Sequence, residues 1–287
     1  MNNFFIIANS IKDPDLAVSK QLTEYLCVRG KKCSYAHTKE GVINPGEPFR
    51  HINPKRIPED TEGLIVLGGD GTLLQVARDT FRRQIPMIGI NLGTLGYLAE
   101  ISKANMFEAL EALIQDDYKI ERRMMLKGTL YRENKELFSD LALNDIVIHK
   151  MAGQSMINVN NYIDGNLLNS YFADAMIVSS PTGSTGYSLS AGGPIVAPQA
   201  AVFLLTPLAP HSMINRSVIV PAENTIGIEL CRNKYGYEYE AALMFDGNQV
   251  AYMKSGDQIK ITRSPIDVKM LKIYESSFMD VLSQKMN

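Results

Sequence analysis

Apolar residues in the first 115 positions of this chain gather in short runs, separated by stretches in which they recur every three or four residues. The runs Phe4 to Ala8, Cys33 to Ala36, Leu64 to Leu67 and Pro86 to Ile90 have the length and character of strands, and Leu64 to Leu67 reads as one buried on both faces. Between the first two runs, Asp13-Pro14 is followed by Leu16, Val18, Leu22, Tyr25 and Leu26 and then Gly30, which predicts a capped amphipathic helix. Helices are expected over 72–83 and 103–115 on the same grounds. Strands alternating with helices predict a parallel sheet, whose ligands gather at the carboxyl ends of the strands. From Thr38 to Glu62 the pattern dissolves around Pro45, Pro48, Pro54 and Pro58, as a flexible flap or a variable insertion would read. Past about residue 120 the rhythm changes to short β-prone segments. Asp164-Gly165 and Asp246-Gly247 predict hairpin turns, joining 156–163 to 166–172 and 238–245 to 248–253. The second half therefore reads as all-β, and Ile273, Phe278, Val281 and Leu282 close the chain at roughly helical spacing.

Composition narrows the function classes. With 287 residues, 45% hydrophobic and 21% charged, the chain is an ordinary globular sequence with room for two domains. Its 29 Lys and Arg are matched by 31 acids for a net charge of −2, so no basic footprint points to nucleic acid. Cys27, Cys33 and Cys231 lack CxxC spacing, which argues against a disulfide framework and a structural zinc site and leaves core thiols in a reducing cytoplasm. The start, MNNFFIIANS, reads as a first strand and not a signal peptide, and no run approaches the length of a membrane span. Walker A, GxGxxG, HExxH and GxSxG patterns are absent.

The chemistry is concentrated in two segments. At 64–74, LIVLGGDGTLL runs from a strand through Gly68-Gly69-Asp70-Gly71-Thr72 into helix-forming residues, with Thr72 expected near the helix cap. Such a junction aims backbone N–H groups and a positive dipole end at an anion, while glycine admits a phosphate closely and permits φ > 0. These residues also suit a plain chain reversal with Asp70 as an N-cap. As an acid in an anion site, Asp70 needs a Mg²⁺ between it and the ligand or a role as proton acceptor, and both belong to phosphoryl transfer. The second segment, 174–188, sets six Ser and Thr, two Gly and a Pro behind a β-prone run, a density of hydroxyls and exposed amides that suits a sugar, a base edge or a phosphate, or an ordinary turn. Asn144-Asp145 places a polar pair directly before another strand.

Taken in order, GGDGTLL at 68–74, NLGTLGYL at 91–98, Asn-Asp at 144–145, SSPTGSTGYSLSAGGPIV at 179–196 and TPLAPHSMINRSVIVP at 206–221 resemble NAD kinase. The resemblance implies an α/β N-terminal domain over 1–120 carrying GGDGT, a β-rich NAD-binding domain over 121–265, and a tail over 266–287 returning to the first domain. It implies transfer of the γ-phosphate of ATP, or of a phosphate from polyphosphate, to the 2′-hydroxyl of the adenosine ribose of NAD, with Mg²⁺ or another divalent cation. A cytoplasmic homodimer or homotetramer without membrane or nucleic-acid partners goes with it. On this reading Asp70 is the general base or holds the metal, and Gly68, Gly69, Gly71 and Thr72 hold phosphate. Asn144 and Asp145 bind the ribose and adenine region, while Thr182, Thr185, Gly186, Tyr187 and Ser190 line the adenine and nicotinamide pockets. Asp174 contacts the carboxamide, Tyr97 packs near the adenine, and His211 lies close to the dinucleotide or serves as a structural hydrogen-bonder. Asp145 stands where the family usually has Glu, Ala175 where many members have Gly, and Gly186 where they have Ala. The rival readings are a diacylglycerol-type lipid kinase sharing GGDGT and a dinucleotide sensor without turnover.

Overall fold

Leu64, Ile65, Val66 and Leu67 are at most 1% exposed, so the all-apolar run does form a strand covered on both faces. It belongs to a computed structural model that describes residues 1–38, 52–93, 96–211, 215–232, 235–273 and 278–286. The chain divides into two compact units, Met1–Arg122 with Val268–Asn287, and Arg123–Asp267.

In the first unit, β1 (Asn3–Ala8), α1 (Ala17–Val28), β2 (Lys32–His37), β3 (Gly63–Gly68), α2 (Asp70–Thr80), β4 (Met87–Asn91), the short β5 (Ile101–Ser102) and α3 (Met106–Ile114) follow one another. The strands pair in parallel in the order β2-β1-β3-β4, with β5 beside the end of β4. The order reverses between β1 and β3, the kind of switch point at which open parallel sheets leave a crevice beyond their carboxyl ends. Leu22 and Leu26 of α1 and Leu110 and Leu113 of α3 pack with Ile6, Ile65 and Leu67 in one core.

Three local expectations need correction. α1 starts at Ala17 because Leu16 is left-handed at φ 56°, yet Asp13 still caps it, its carboxylate accepting from the backbone N–H groups of Val18 and Ser19 at 3.1 and 3.0 Å. The described part of the proline-rich stretch is no flexible flap. Ile52 and Ile57 are buried, the Ile52 N–H donates to Asp79, and the Arg83 guanidinium donates to the carbonyls of Pro54, Ile57 and Pro58. Residues 39–51 lie outside the described residues. The thiols are not core groups, since Cys27 is exposed and Cys33 and Cys231 are half-buried, with burial pushing the Cys33 thiol up to about 11.

The second unit is built on β6 (Lys119–Arg132), β7 (Lys135–Ala142), β8 (Asp145–Lys150), β9 (Ile157–Ile163), β10 (Asn166–Ala173), β11 (Ala175–Ser179), the single turn α4 (Tyr187–Ser190), β12 (Val202–Leu208), β13 (Val218–Pro221), β14 (Ile226–Cys231), β15 (Glu240–Phe245), β16 (Asn248–Lys254) and β17 (Gln258–Lys272). Antiparallel pairing runs β13-β12-β11-β8-β15-β16 in one layer and β10-β9-β14-β17 in another, with β6 pairing β7. Alternation along each strand sorts the side chains. Ile146, Ile148, Met176 and Val178 enter the core between the layers, and Val147, Ala175 and Ile177 face outward, where Tyr187 and Ala191 pack over them. Both predicted hairpins form, with Asp164-Gly165 and Asp246-Gly247 at positive φ as a type I′ turn requires. The end of β17 rejoins the first unit, where Met270 pairs with Met87, and α5 (Phe278–Met286) follows there.

Candidate functional site

In the first unit the glycine turn joins β3 directly to α2, whose first residue is Asp70, with Gly69 as its extended N-cap. The helix thus begins two residues earlier than the sequence implied, and Thr72 lies in its first turn, near the cap as expected, its N–H donating to the Gly69 carbonyl at 3.0 Å. The Thr72 hydroxyl accepts from Asn9 Nδ2 at 2.8 Å, tying the loop after β1 to the first turn of α2. Gly68, Gly69 and Gly71 do not have positive φ, so none of them is required by a left-handed backbone. A Cβ at Gly68 would lie 2.4 Å from Thr72 Oγ1, and nothing lies within 4 Å of where one at Gly71 would stand.

Asp70 is held by the second glycine turn. Its Oδ2 accepts the N–H of Tyr97 at 2.7 Å, and its Oδ1 accepts those of Leu98 and Ala99, each at 3.0 Å. A carboxylate offers about four lone-pair directions, so among the described residues one at Oδ2 is left over. Gly96 makes the contact possible, since a Cβ there would lie 1.8 Å from Asp70 Oδ1. Tyr97 is half-buried, and the Lys285 ammonium sits 4.8 Å from its ring centroid. Among the described residues no group of three His, Cys, Asp or Glu side chains could hold a metal ion. A divalent cation here would be held jointly by phosphate oxygens and Asp70.

In the second unit the polar pair and the hydroxyl-rich segment meet. Asp145 opens β8 directly opposite Ser179 at the end of β11. Ser180 fastens the junction, its N–H donating to the Asn144 carbonyl at 2.8 Å and its hydroxyl to that of Leu143 at 2.5 Å. Gly183 allows the close approach, for a Cβ there would lie 2.2 Å from the Asn144 carbonyl oxygen, whereas a Cβ at Gly186 would stand in ordinary contact, 3.4 Å from Asn144 Nδ2. Thr182, Thr185, Gly186 and Tyr187 are thus gathered around Asn144 and Asp145, with Ser190 at the end of α4. Two atoms stand out: Asn144 Oδ1 and Thr182 Oγ1 are buried without a hydrogen-bond partner among the described residues. Unpaired buried polar groups are costly in a finished protein and point to a ligand that completes them.

Asp145 is 5% exposed, and burial together with the negative charge of Asp246 pushes its carboxyl up to about 7. Asp174, between β10 and β11, is ion-paired at 2.6 Å with Lys150 of β8. His211 is exposed, and its backbone N–H donates to the Phe172 carbonyl at 2.7 Å. A cavity of about 630 Å³ elsewhere in this unit, lined in part by Tyr131, Tyr162 and Lys260, contains none of the predicted residues.

Asp246 is the site residue that sequence reasoning passed over. Its carboxylate accepts the N–H groups of Leu143, Asn144 and Asp145 at 2.8, 2.7 and 3.2 Å, and so sets the backbone of the polar pair. Asp-Gly fully suits a hairpin tip, so the local sequence carried no sign of this second duty. Lys150, the counter-ion of Asp174, carried none either.

A parallel α/β unit with a glycine-bordered carboxylate at its sheet edge, followed by a β unit with an incompletely satisfied polar cluster, defines a protein of the nucleotide-phosphotransferase class. The chain belongs to the NAD kinase family: the ATP-NAD kinase N-terminal domain model matches residues 4–118 and the C-terminal domain model residues 143–273. It is 40% identical to the NAD kinase of Lachnospira eligens over the whole of both chains, and 44% identical to that of Moorella thermoacetica over the whole of this chain and 89% of the relative. The fold is shared with a yeast NADH kinase crystallised with NADH, at a TM-score of 0.82, 22% identity and coverage of 100% of this chain and 87% of that one. It is shared also with an Archaeoglobus fulgidus NAD kinase in complex with ATP, at a TM-score of 0.75, 24% identity and coverage of 98% of each.

Proposed function

We propose that this chain phosphorylates the 2′-hydroxyl of the adenosine ribose of NAD with ATP or polyphosphate, making NADP. The observation that carries the reading is the polar cluster of the second unit, where Asn144 Oδ1 and Thr182 Oγ1 lack partners among the described residues. A lipid kinase built on GGDGT gives that cluster no work. Asn144 and Asp145 hold the ribose and adenine region, Thr182, Thr185, Gly186, Tyr187 and Ser190 line the adenine and nicotinamide pockets, Asp174 takes the carboxamide, and Tyr97 and His211 lie beside the dinucleotide.

Gly68, Gly69, Gly71 and Thr72 hold phosphate through the N–H groups of the α2 start and the Thr72 hydroxyl. A ribose hydroxyl is a weak nucleophile, and Asp70, through the unused direction of Oδ2, takes its proton as oxygen bonds to the γ-phosphorus and the bond to the β-phosphate oxygen breaks. A divalent cation held with Asp70 would offset charge on the phosphate oxygens when bound. The amides of Tyr97, Leu98 and Ala99 fix the carboxylate, so alignment is set before the substrate arrives. Residues 1–120 act as the nucleotide-phosphate domain and 121–265 as the NAD domain, with the 266–287 tail returning to the first, in a cytoplasmic homodimer or homotetramer.

Incubation of the purified chain with NAD, Mg²⁺ and ATP or polyphosphate tests this directly. NADP is expected, and its formation is expected to cease with a chelator. No NADP with any donor would leave the sensor or lipid-kinase readings. In Asp70→Asn, NAD affinity is expected to persist while kcat falls by about two or more orders of magnitude. Unchanged turnover there removes Asp70 from the mechanism.

A further inference from the structure

The loop after β1 ends at Lys12, which the motifs leave without a role. Asn9 shapes this loop as a bracket. Its Oδ1 accepts the N–H groups of Ile11 and Lys12 at 2.9 and 3.1 Å, its carbonyl accepts that of Asp13, and its Nδ2 donates to the Thr72 hydroxyl. The backbone of Lys12 is thereby pinned to the first turn of α2. The side chain reaches over both glycine turns: a Cβ at Gly69 would lie 3.1 Å from Lys12 Nζ, and one at Gly93 would lie 3.5 Å from it. Lys12 is an exposed residue, and its ammonium has no ion-pair partner among the described residues. An ammonium gains little by lying across glycines with nothing to neutralise, whereas long cationic side chains otherwise extend freely into water. The loops after β1 and β3 also flank the point where strand order reverses, the crevice in which parallel sheets take their ligands.

We propose that Lys12 is a phosphate-binding residue of this site, its ammonium taking the terminal phosphates of the nucleoside triphosphate donor above Gly69 and Gly93. This rests on the kinase reading and adds to it a cation that the glycine turn lacks. The missing Cβ at Gly69 then has a purpose, for it leaves room for the ammonium and the phosphates together. Lysine serves here as a point charge on a flexible stem, able to follow a phosphoryl group whose charge is redistributed in transfer.

The experiment uses the full chain and the variants Lys12→Ala and Lys12→Arg, with ATP and NAD each titrated alone by calorimetry and each varied in steady-state kinetics. Loss of a charge-assisted contact predicts that Lys12→Ala weakens ATP binding about 10- to 100-fold, with NAD binding changed by less than about twofold. Lys12→Arg, which keeps the charge, is expected to recover ATP affinity to within about tenfold of the unaltered chain. The KM for ATP should rise in Lys12→Ala and that for NAD should not. ATP affinity unchanged within about twofold in Lys12→Ala overturns the proposal, as does equal weakening of ATP and NAD. If the unaltered chain binds ATP but forms no NADP, the kinase reading falls, while the ATP contrast between variants still decides the role of Lys12.

Discussion

At the scale of single residues, the carboxyl of Asp145 has the least ordinary environment among the site residues. Burial comes first and the neighbouring Asp246 charge second, and both disfavour its ionised form. Tyr187, raised mainly by burial and further by Asp145 and Asp174, faces the same cluster, and Lys150 balances Asp174. The folded chain keeps the Asp145 proton up to about 7, whereas the unfolded chain gives it up near the ordinary aspartate value of 3.8. The folded state therefore binds more protons between those values, so stability falls as pH rises across that window and the penalty is complete above it. Asp145→Asn removes the ionisation. Its thermal midpoint, measured against that of the unaltered chain, should gain steadily from about pH 4 to about pH 7 and level off above that, by an amount worth a few kcal/mol at most. A difference that stays level across that range would show that Asp145 does not titrate there. Asn144 and Asp145 were legible as a polar pair before a strand, but Asp246, a hundred positions away, was not, because its turn role alone explains its presence.

The elements add a constraint of their own. The start of α2 and the turn before β5 are joined through one carboxylate, and Gly96 is the position that permits it. Gly96→Ala puts a Cβ where the Asp70 carboxyl sits, so either the side chain or the turn must move. Displacing a reacting group by about 1 Å can cost about 10²-fold, and a fall of that order in kcat is expected, with a loss of about 1–3 kcal/mol for the freed hydrogen bonds. Gly71→Ala is the steric control for stability, because nothing stands within 4 Å of its Cβ position and alanine favours helix. Equal stability and turnover in Gly96→Ala would contradict the arrangement. The sequence already showed β3, α2 and the glycine turn between them. It did not show that the helix begins at Asp70, since glycines before a helix read as loop, nor that Gly68 and Gly69 lack positive φ, since what stands beside them is the close packing of Thr72 and Lys12.

For the molecule as a whole, the second unit depends on the core between its two layers, where Phe203 of β12 is fully buried among Ile146, Met176 and Leu243. Phe203→Ala should lower the unfolding free energy of that unit by about 3–5 kcal/mol. The chain has no Trp, so far-UV circular dichroism in a denaturant titration is the suitable probe, and a loss below about 1 kcal/mol would mean the layers repack around the gap. The sequence by itself determined the alternating α/β half, the β half with its two Asp-Gly hairpins, the glycine-bordered Asp70 and the Asn144-Asp145 pair. Periodicity, turn chemistry and motif order all operate within windows of a few neighbouring residues. Only the tertiary structure decided that Asp246 sets the polar pair, that the amides of 97–99 hold Asp70, and that Lys12 lies over two glycine turns. Those contacts join segments tens to a hundred residues apart, and they exist only once strand order and register have brought the segments together.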